Sequence, residues 1–345
     1  MEVETNTQVC ISFKRDSLIC NFCYNSWFGF GLRPNRNDEV FLNNGAELLE
    51  ELITYSEGKS SPIRIFSAQE LEKATNNYAD DLFFCEETLY KMYKGTIDGR
   101  AIIVSKSQQS DFISVSRAYE VAVLSRINHV NILKILGCCL EIEIPTIVYD
   151  FFSQETLYDR IHKAGSSCYI SWENCLKIAT GVAYGLTYLH IDMATPIIHR
   201  NIKSRKILLD EHSNVKIIGF DLSLPMPLGE TETECSVLGT YGYADPCYVA
   251  KGLVSEKSDV YSYGVVVLEI LTGKKDRELW ESASEFAECT EEKLVGFAEA
   301  ILLEEGKKDQ LKAFAQLVRR CLSGSWEERP TMKEVVQELR RIKGL

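Results

Sequence analysis

Apolar residues that recur every 3.6 positions predict helices, and apolar residues that recur every second position predict strands. Residues 1–42 show neither period: charged residues, Asn and Gly are mixed with isolated aromatic residues, which predicts a poorly ordered tail. A helical spacing begins after Asn43-Asn44-Gly45 and predicts a short amphipathic helix. Its apolar positions are Ala46, Leu48, Leu49, Leu52 and Ile53.

The next segment predicts a linker, a second helix and a set of short strands. Residues Gly58 through Pro62 have the small, polar composition of a linker. Ser67 followed three residues later by Glu70 is the pattern of a capping box, so a helix is expected to start there. Asp98-Gly99 predicts a hairpin turn between two strands.

The later part of the chain is predicted to be mainly helical. A helix is expected from Trp172 to about His190 because its apolar residues recur on one face. These are Leu176, Ala179, Val182, Ala183, Leu186 and Leu189. We therefore expect an α+β fold, with flanking helices and a linker over residues 43–77 and one domain over residues 78–345. Within that domain, residues 78–149 form the strand-rich part and residues 150–345 the helical part.

Composition and charge narrow the classes of function. A hydrophobic content of 45% over 345 residues is enough for a large core. The formal net charge of −12 argues against a nucleic-acid partner, because phosphate contacts need clustered Lys and Arg. The run from Gly264 to Leu268 is broken by Glu269 and is far too short to span a membrane.

The cysteines favour a reducing compartment. The chain has 12, and the close pairs are Cys20/Cys23 and Cys138/Cys139, without the second pair that a zinc site needs. With no export signal at the start, we expect free thiols and a cytoplasmic protein. Palmitoylation of Cys10, Cys20 or Cys23 could place the tail at the plasma membrane; a tail without a special role is the alternative.

Several segments, in order, carry a family resemblance. They read LSRINHVNILKILGCCLE, IPTIVYDF, IIHRNIKSRKILLD, VKIIGFD, GTYGYADP, EKSDVYSYGVVVLEILTG and ERPTM. Together they resemble a protein kinase, and in particular a plant receptor-like cytoplasmic kinase. The resemblance implies a bilobal fold, with a strand-rich N-lobe, a helical C-lobe and here a short N-terminal extension.

The segment before the domain narrows the resemblance. FLNNGAELLEELI, GKSSPIRIFS and LEKATNNY are similar to the pseudokinase subgroup of that family, whose members act as adaptors of an intracellular leucine-rich-repeat (NLR) immune receptor. This resemblance implies three kinds of partner: the NLR receptor, active receptor-like cytoplasmic kinases and a pathogen effector.

Phosphoryl transfer needs a glycine loop over the phosphates, a base and bound Mg²⁺, and the chain departs from the family pattern at each. Counting back from Tyr93-Lys94-Gly95 places the three glycine positions on Cys85, Glu87 and Tyr90. Side chains there hinder the close approach of the backbone to phosphate that glycine permits.

The strand lysine cannot be placed by counting alone. Counting from Asp98-Gly99 puts Ser105 at its position, whereas counting from Lys94-Gly95 puts Lys106 there. Glu120 matches the helix glutamate that pairs with such a lysine. The sequence thus predicts a Lys106–Glu120 pair, with a solvated Lys106 as the alternative.

The segment HRNIKSRK matches the catalytic pattern HRDxKxxN. Asn201 replaces the base aspartate, and a carboxamide does not accept a proton at neutral pH. Lys206 replaces the metal-binding asparagine and has no lone pair for Mg²⁺. Lys203 is kept and could contact a phosphate; a solvated lysine is the alternative.

The metal-binding aspartate of the next motif is also replaced. GFD takes the place of DFG, so Gly219 stands where that aspartate would be. Asp221, two residues later, is expected to point elsewhere, with a shifted loop that brings it closer as the alternative. We therefore expect no metal and no required cofactor. Lys206 could still neutralise phosphate and allow weak, metal-independent ATP binding.

Other residues are kept in ways that predict a preserved frame. His199, Arg200, Phe220 and Asp259 match structural positions of the family, and Arg329 matches an arginine that pairs with a glutamate. That glutamate is Cys247 here, so a looser contact is expected unless another acid compensates.

The segment after GFD carries candidate regulatory residues. One of three acids could mimic a phosphate facing Arg200, a solvated acidic loop being the alternative. These acids are Glu230, Glu232 and Glu234. Hydroxyls that could be modified are those of Thr231, Thr233, Ser236 and Thr240.

Two classes of function follow from these interpretations. The first is a catalytically inactive adaptor or decoy in plant defence, with the helix around Ala46–Ile53 as its receptor-side face or as simple packing on the N-lobe. The second is an atypical serine/threonine kinase with residual ATP binding or weak phosphotransfer. A partner-activating role is compatible with the first.

Overall fold

The computed structural model describes residues 36–56, 62–108, 117–153, 155–162, 170–227, 229–274, 276–288 and 308–344. These residues fall into two compact units. The strand-rich unit contains the described residues of 36–126 and 135–149, and the helical unit those of 127–134 and 150–344. Residues 1–35, with Cys10, Cys20 and Cys23, lie outside the described residues.

The described residues of the strand-rich unit form a six-stranded sheet, three α-helices and a 3₁₀ turn at Asp80–Leu82. Its elements are α1 (Arg36–Ser56), β1 (Arg64–Ile65), α2 (Ala68–Ala74), β2 (Phe83–Glu87), β3 (Tyr90–Ile97), β4 (Arg100–Ser107), α3 (Arg117–Ser125), β5 (Ile135–Cys139) and β6 (Thr146–Asp150). The strand order is β1-β5-β6-β4-β3-β2. The pairing of β1 with β5 is parallel, and β2 with β3, β3 with β4 and β5 with β6 are antiparallel.

Two local predictions for this unit are confirmed. Ser67 caps α2 by accepting the Glu70 amide at 3.2 Å, while the Glu70 carboxylate accepts the Ser67 amide at 2.9 Å. Asp98 and Gly99 join β3 to β4 with φ of 52° and 78°, the left-handed angles of a tight hairpin turn.

Helix α1 is longer than the sequence predicted. It begins at Arg36 and continues through Asn43-Asn44-Gly45, so the expected tail ends earlier than residue 42. Its inner face packs on α3, and the buried Asn44 side chain donates to the Leu140 carbonyl (2.9 Å) and the Ile142 carbonyl (2.8 Å). These two bonds fasten the middle of α1 to the turn after β5.

The opposite face of α1 is apolar and exposed. Leu42, Leu49 and Ile53 have exposed fractions of 46%, 58% and 72%, and the exposed Ala46 lies between them. Residues 42, 46, 49 and 53 share one helical face because their spacing is four, three and four. We call these four residues the α1 stripe. Helix α1 therefore packs on the sheet unit and still presents an apolar surface.

The helical unit contains short strand pairs and long helices. Its elements are β7 (Glu155–Thr156), α4 (Leu157–His162), α5 (Trp172–Thr187), β8 (Ile197–Ile198), β9 (Ile207–Leu209), β10 (Val215–Ile217), β11 (Leu224–Pro225), β12 (Glu232–Glu234), α6 (Pro246–Lys251), β13 (Leu253–Ser255), α7 (Glu256–Thr272), α8 (Asp276–Glu288), α9 (Lys308–Cys321) and α10 (Met332–Gly344). The small sheets are β10-β9-β7, β11-β8 and β12-β13.

The long helix predicted from Trp172 is confirmed. Ser171 caps α5, which runs to Thr187 and continues as a π-helical turn over Tyr188–Asp192. All the apolar positions predicted for its inner face, from Leu176 to Leu189, are buried. Helix α7 is buried along most of its length and carries Asp259 and Glu269 into the interior, where they organise the site.

Candidate functional site

The loop between β8 and β9 is held by one buried carboxylate. Asp259 of α7 accepts the backbone amides of His199 (2.7 Å) and Arg200 (2.9 Å), and it also accepts Nε2 of His190 (2.9 Å). Arg200 has a φ of 65°, a left-handed angle that such bracing can maintain. Asp259 thus fixes the backbone of residues 199–200, in agreement with a structural role.

Asn201 follows in this loop and is buried. Its Oδ1 accepts the hydroxyl of Thr240 at 2.8 Å, and its backbone amide donates to Nδ1 of His199 at 3.3 Å. The carboxamide oxygen is therefore engaged by a donor of the same unit. The hydroxyl of Thr240, one of the candidate modification targets, is engaged in the same bond.

Lys206 and Asp221 form a buried ion pair. The Lys206 ammonium lies 2.6 Å from Asp221 Oδ1 and donates to the Gly219 carbonyl at 3.0 Å, with 1% of the lysine side chain and 5% of the aspartate side chain exposed. Gly219 has a φ of 75°, which glycine adopts without strain. The expectation that Asp221 points elsewhere is therefore wrong: it neutralises Lys206.

Lys203 does not behave as a solvated surface lysine. Its exposed fraction is 7%, so the solvated alternative is wrong. Lys203 and Lys206 thus bring two buried cations into the loop of residues 199–206.

His199 is held neutral by its surroundings. Its Nε2 donates to the Ile218 carbonyl at 3.1 Å, and its ring packs edge-on against Phe220 at 4.9 Å. Burial and, secondarily, the Lys206 charge lower the pKa of His199 to about 4 from its ordinary 6.5. Because Nδ1 accepts an amide proton, protonation there would remove that bond.

This geometry predicts a loss of stability in acid. His199 favours the folded state fully above pH 6.5, and this contribution is lost as the pH falls from 6.5 to about 4, because the unfolded chain binds the proton more readily. The total loss from this group is about 3 kcal/mol. Urea unfolding between pH 7 and 4 measures it.

A matched pair of variants isolates this effect. His199→Gln does not titrate and should flatten the pH dependence, whereas His212→Gln, at an exposed histidine, should leave it unchanged. Equal pH profiles for wild type and His199→Gln would contradict the assignment.

The residues at the glycine positions turn side chains into the strand-rich unit. Cys85 and Glu87 lie on β2, and Tyr90 begins β3, where Glu87 pairs with Tyr90. Their exposed fractions are 7%, 9% and 1%. Glycines at these positions would leave the backbone accessible to a phosphate, whereas this hairpin carries three buried side chains there.

The predicted Lys106–Glu120 pair is wrong. Lys106 lies 3.9 Å above the ring of Tyr78, while Glu120 is paired with Arg117 at 2.5 Å. Of the two candidate positions on β4, Ser105 is the buried one, with 1% exposed. Of the two ways of counting, the one that assigned Ser105 therefore identifies the inward-facing position.

Arg329 keeps a carboxylate partner. It lies 2.8 Å from Asp245, with both side chains fully buried, and Asp245 also accepts Nε1 of Trp326 at 2.7 Å. The alternative stated for Arg329, that another acid compensates, is confirmed: Asp245, two residues before Cys247, supplies the carboxylate, and the contact is not loose.

The three acidic residues after residue 229 are not hydrogen-bond partners of Arg200. The Arg200 guanidinium donates to the Leu222 carbonyl (3.2 Å), the Ser236 carbonyl (2.6 Å) and the Tyr248 hydroxyl (2.6 Å). Glu232 and Glu234 are exposed on β12, which pairs with β13, and Glu230 is exposed before it. The solvated alternative agrees with this arrangement, and the phosphate-mimic hypothesis is wrong.

Sequence reasoning missed Glu269. This fully buried carboxylate accepts the hydroxyls of Ser204 (2.8 Å) and Tyr243 (2.7 Å) and lies 2.9 Å from Nε2 of His162. It joins α4, the loop of residues 199–206 and the segment before α6. The available signal was a single acid inside the apolar run of α7.

The described ranges contain no group of three or more His, Cys, Asp or Glu residues placed to hold a metal ion. Within these ranges, each helix is either too short or too polar to span a lipid bilayer.

A strand-rich unit with a helix packed on its sheet, and a helical unit that carries the loop braced by Asp259, are the two parts of a protein-kinase-like α+β fold. A family model described as protein tyrosine and serine/threonine kinase matches residues 92–339. This chain belongs to that family.

Its relatives include plant receptor kinases from Arabidopsis thaliana. The chain is 38% identical over 318 residues to wall-associated receptor kinase-like 1, covering 90% of this chain and 44% of the relative. It is 36% identical over 315 residues to wall-associated receptor kinase 1 (89% and 43%) and 39% identical over 306 residues to wall-associated receptor kinase-like 18 (86% and 38%). The chain spans less than half the length of each of these relatives.

Proposed function

We propose that this protein is a pseudokinase: a protein-kinase-like chain that does not transfer phosphate and acts by binding other proteins. The observation that carries the proposal is the buried ion pair between Lys206, which occupies the position of the metal-binding asparagine, and Asp221, while Gly219 at the position of the metal-binding aspartate offers no carboxylate. A divalent cation there would meet an ammonium, and the nearby carboxylate is already neutralised. Asn201 and the filled glycine positions add to this argument.

The alternative is an atypical serine/threonine kinase with residual ATP binding. Lys203 and Lys206 could neutralise phosphate without Mg²⁺, which would give weak nucleotide binding but not catalysis. Thermal unfolding with ATP, with and without Mg²⁺, separates the two. Nucleotide at 100 times its Kd would add roughly 2.7 kcal/mol of stability, a shift of several degrees.

For the pseudokinase we expect no shift with ATP, either with or without Mg²⁺. A clear Mg²⁺-dependent shift would count against the proposal.

The inactive state is not expected to rest on one residue, so Asn201→Asp alone should show no phosphotransfer in a radiolabelled assay. General-base help is worth roughly 10²–10⁴-fold, while losing the metal ligands removes the charge stabilisation of the transferred group. Measurable transfer by this single variant would refute the proposal.

We further propose that the protein is an adaptor or decoy in plant defence, located in the cytoplasm. It would link an NLR immune receptor to active receptor-like cytoplasmic kinases or to a pathogen effector, without nucleic acid or a bound cofactor. Peripheral attachment to the plasma membrane could come from partners or from a palmitoylated tail. This part of the proposal rests on the resemblance of the flanking segment and on the α1 stripe as the receptor-side face.

A change on the α1 stripe is expected to remove partner binding without unfolding the protein. Leu49→Glu with Ile53→Glu adds two charges to a surface that a helix-binding partner would desolvate. We expect at least a tenfold loss of receptor co-purified from plant tissue, at an unchanged melting temperature.

Val130→Glu is the matched control, since Val130 is 73% exposed and Ile53 72%, and Val130 lies outside α1. Equal recovery of receptor by the stripe variant and this control would rule out the stripe as the receptor-side face. Repeating the purification with and without the effector would identify the remaining partners.

A further inference from the structure

The ion pair that was predicted between strand β4 and helix α3 is replaced by a different arrangement in the strand-rich unit. Ser105 and Lys106 are adjacent on β4, and successive side chains of a strand point to opposite faces. Ser105 is the buried one, and Lys106 contacts Tyr78. Strand β4 therefore brings a hydroxyl, and no cation, to the face where α3 carries Glu120.

Arg117 supplies the cation from the helix itself. One end of its guanidinium, Nη1, lies 2.5 Å from Glu120 Oε2, and the other, Nη2, donates to Ser105 Oγ at 2.9 Å. Tyr149 of β6 donates its hydroxyl to the second oxygen of Glu120 at 3.3 Å. Arg117 and Glu120 have 2% and 0% of their side chains exposed.

The width of a single guanidinium thus separates Ser105 from Glu120. A lysine at position 105 would reach across that gap and pair with Glu120 directly. Arg117 occupies the gap, and its guanidinium also lies 5.2 Å from the ring centre of Tyr90, a residue at one of the glycine positions. The cation and the aromatic ring fill this part of the unit together.

We propose that Arg117 is the positioning residue that replaces the strand lysine: the charge has moved from β4 to α3, and it holds α3 on the sheet without nucleotide. Because α1 packs on α3, Arg117 also sets the place of α1 and of its exposed stripe. Arg117 has this role whether or not the protein transfers phosphate.

A charge-relocation cycle tests the proposal. The variants are Arg117→Met, Ser105→Lys and the double variant, each measured by urea unfolding and by hydrogen exchange of α1 and α3. Arg117→Met leaves Glu120 buried without its cation, and we expect a rise in the unfolding equilibrium constant of roughly 10²–10³-fold. Ser105→Lys alone places a second cation beside Arg117 and should also destabilise.

The double variant is expected to have an unfolding equilibrium constant at least tenfold smaller than the product of the two single effects predicts, because the lysine introduced on β4 would then pair with Glu120. Slow hydrogen exchange should return in both helices. If Arg117→Met does not fold, a double variant that folds supports the proposal more strongly. Losses that simply add, or a double variant that also fails to fold, would overturn it, since Arg117 would then contribute only packing.

Lys106→Met is the matched control for the other way of counting. It removes a cation over an aromatic ring, worth about fivefold or less at a partly exposed site, and should leave hydrogen exchange of α3 unchanged. An effect as large as that of Arg117→Met would return the role to Lys106.

Discussion

Lys206→Met is expected to reduce the free energy of unfolding by about 3–5 kcal/mol, because it leaves the Asp221 carboxylate buried without its cation. For most single domains this is a large part of the total stability. Urea unfolding at pH 7 measures the change. Lys333→Met, at an exposed lysine, should stay within about 0.5 kcal/mol of wild type.

Removing both charges should be far milder than removing one. In the variant with Lys206→Met and Asp221→Leu, the pair is replaced by apolar groups, an exchange that is often neutral for buried ion pairs. A double variant as unstable as Lys206→Met would show that the pair is not what stabilises this loop. Since the Lys206 charge helps to lower the pKa of His199, that pKa should rise in Lys206→Met, and NMR titration can follow it.

The second large effect is expected at Asp245. Asp245→Asn removes the charge that faces the fully buried Arg329, and we expect a loss of about 3–5 kcal/mol. The amide also fits poorly between the donors of Arg329, Trp326 and Ser258, which all approach the carboxylate oxygens. Thermal and urea unfolding should report the same loss.

Cys247→Glu is the matched comparison for Asp245→Asn. It restores the acid that the family carries at this position, but Asp245 already neutralises Arg329, so a stability change of less than about 1 kcal/mol is expected. If Cys247→Glu stabilised the protein strongly, or if Asp245→Asn were neutral, the pairing of Arg329 with Asp245 would not be what stabilises this region.

Local elements were predictable because their causes are local. The capping box at Ser67, the hairpin at Asp98-Gly99 and the helix from Trp172 depend on residues within a few positions of one another. The start of α1 was missed because Asn43-Asn44-Gly45 suggests a break, whereas Asn44 is stabilised inside the helix by two carbonyls that lie 96 and 98 residues away along the chain. Tertiary contacts decided that boundary.

Charge partners were harder to predict than elements. A one-residue uncertainty on β4 changes the face of a side chain, so Ser105 and Lys106 could not be distinguished by counting. Asp221 and Asp245 were underrated because a buried cation can be met by any carboxylate within a few ångströms, including one two residues from the expected position. The sequence indicates which family residues are replaced, but the new charge partners depend on distances in the folded structure.

The α1 stripe also affects the abundance that this protein can reach in a cell when it is produced alone. Leu42, Leu49 and Ile53 are exposed in the described part of the chain, and exposed apolar surfaces favour aggregation and removal by quality control. Partner binding would stabilise the folded chain by mass action. The supply of the partner would then set the abundance of this protein, and co-production of the two should raise the soluble yield of the one.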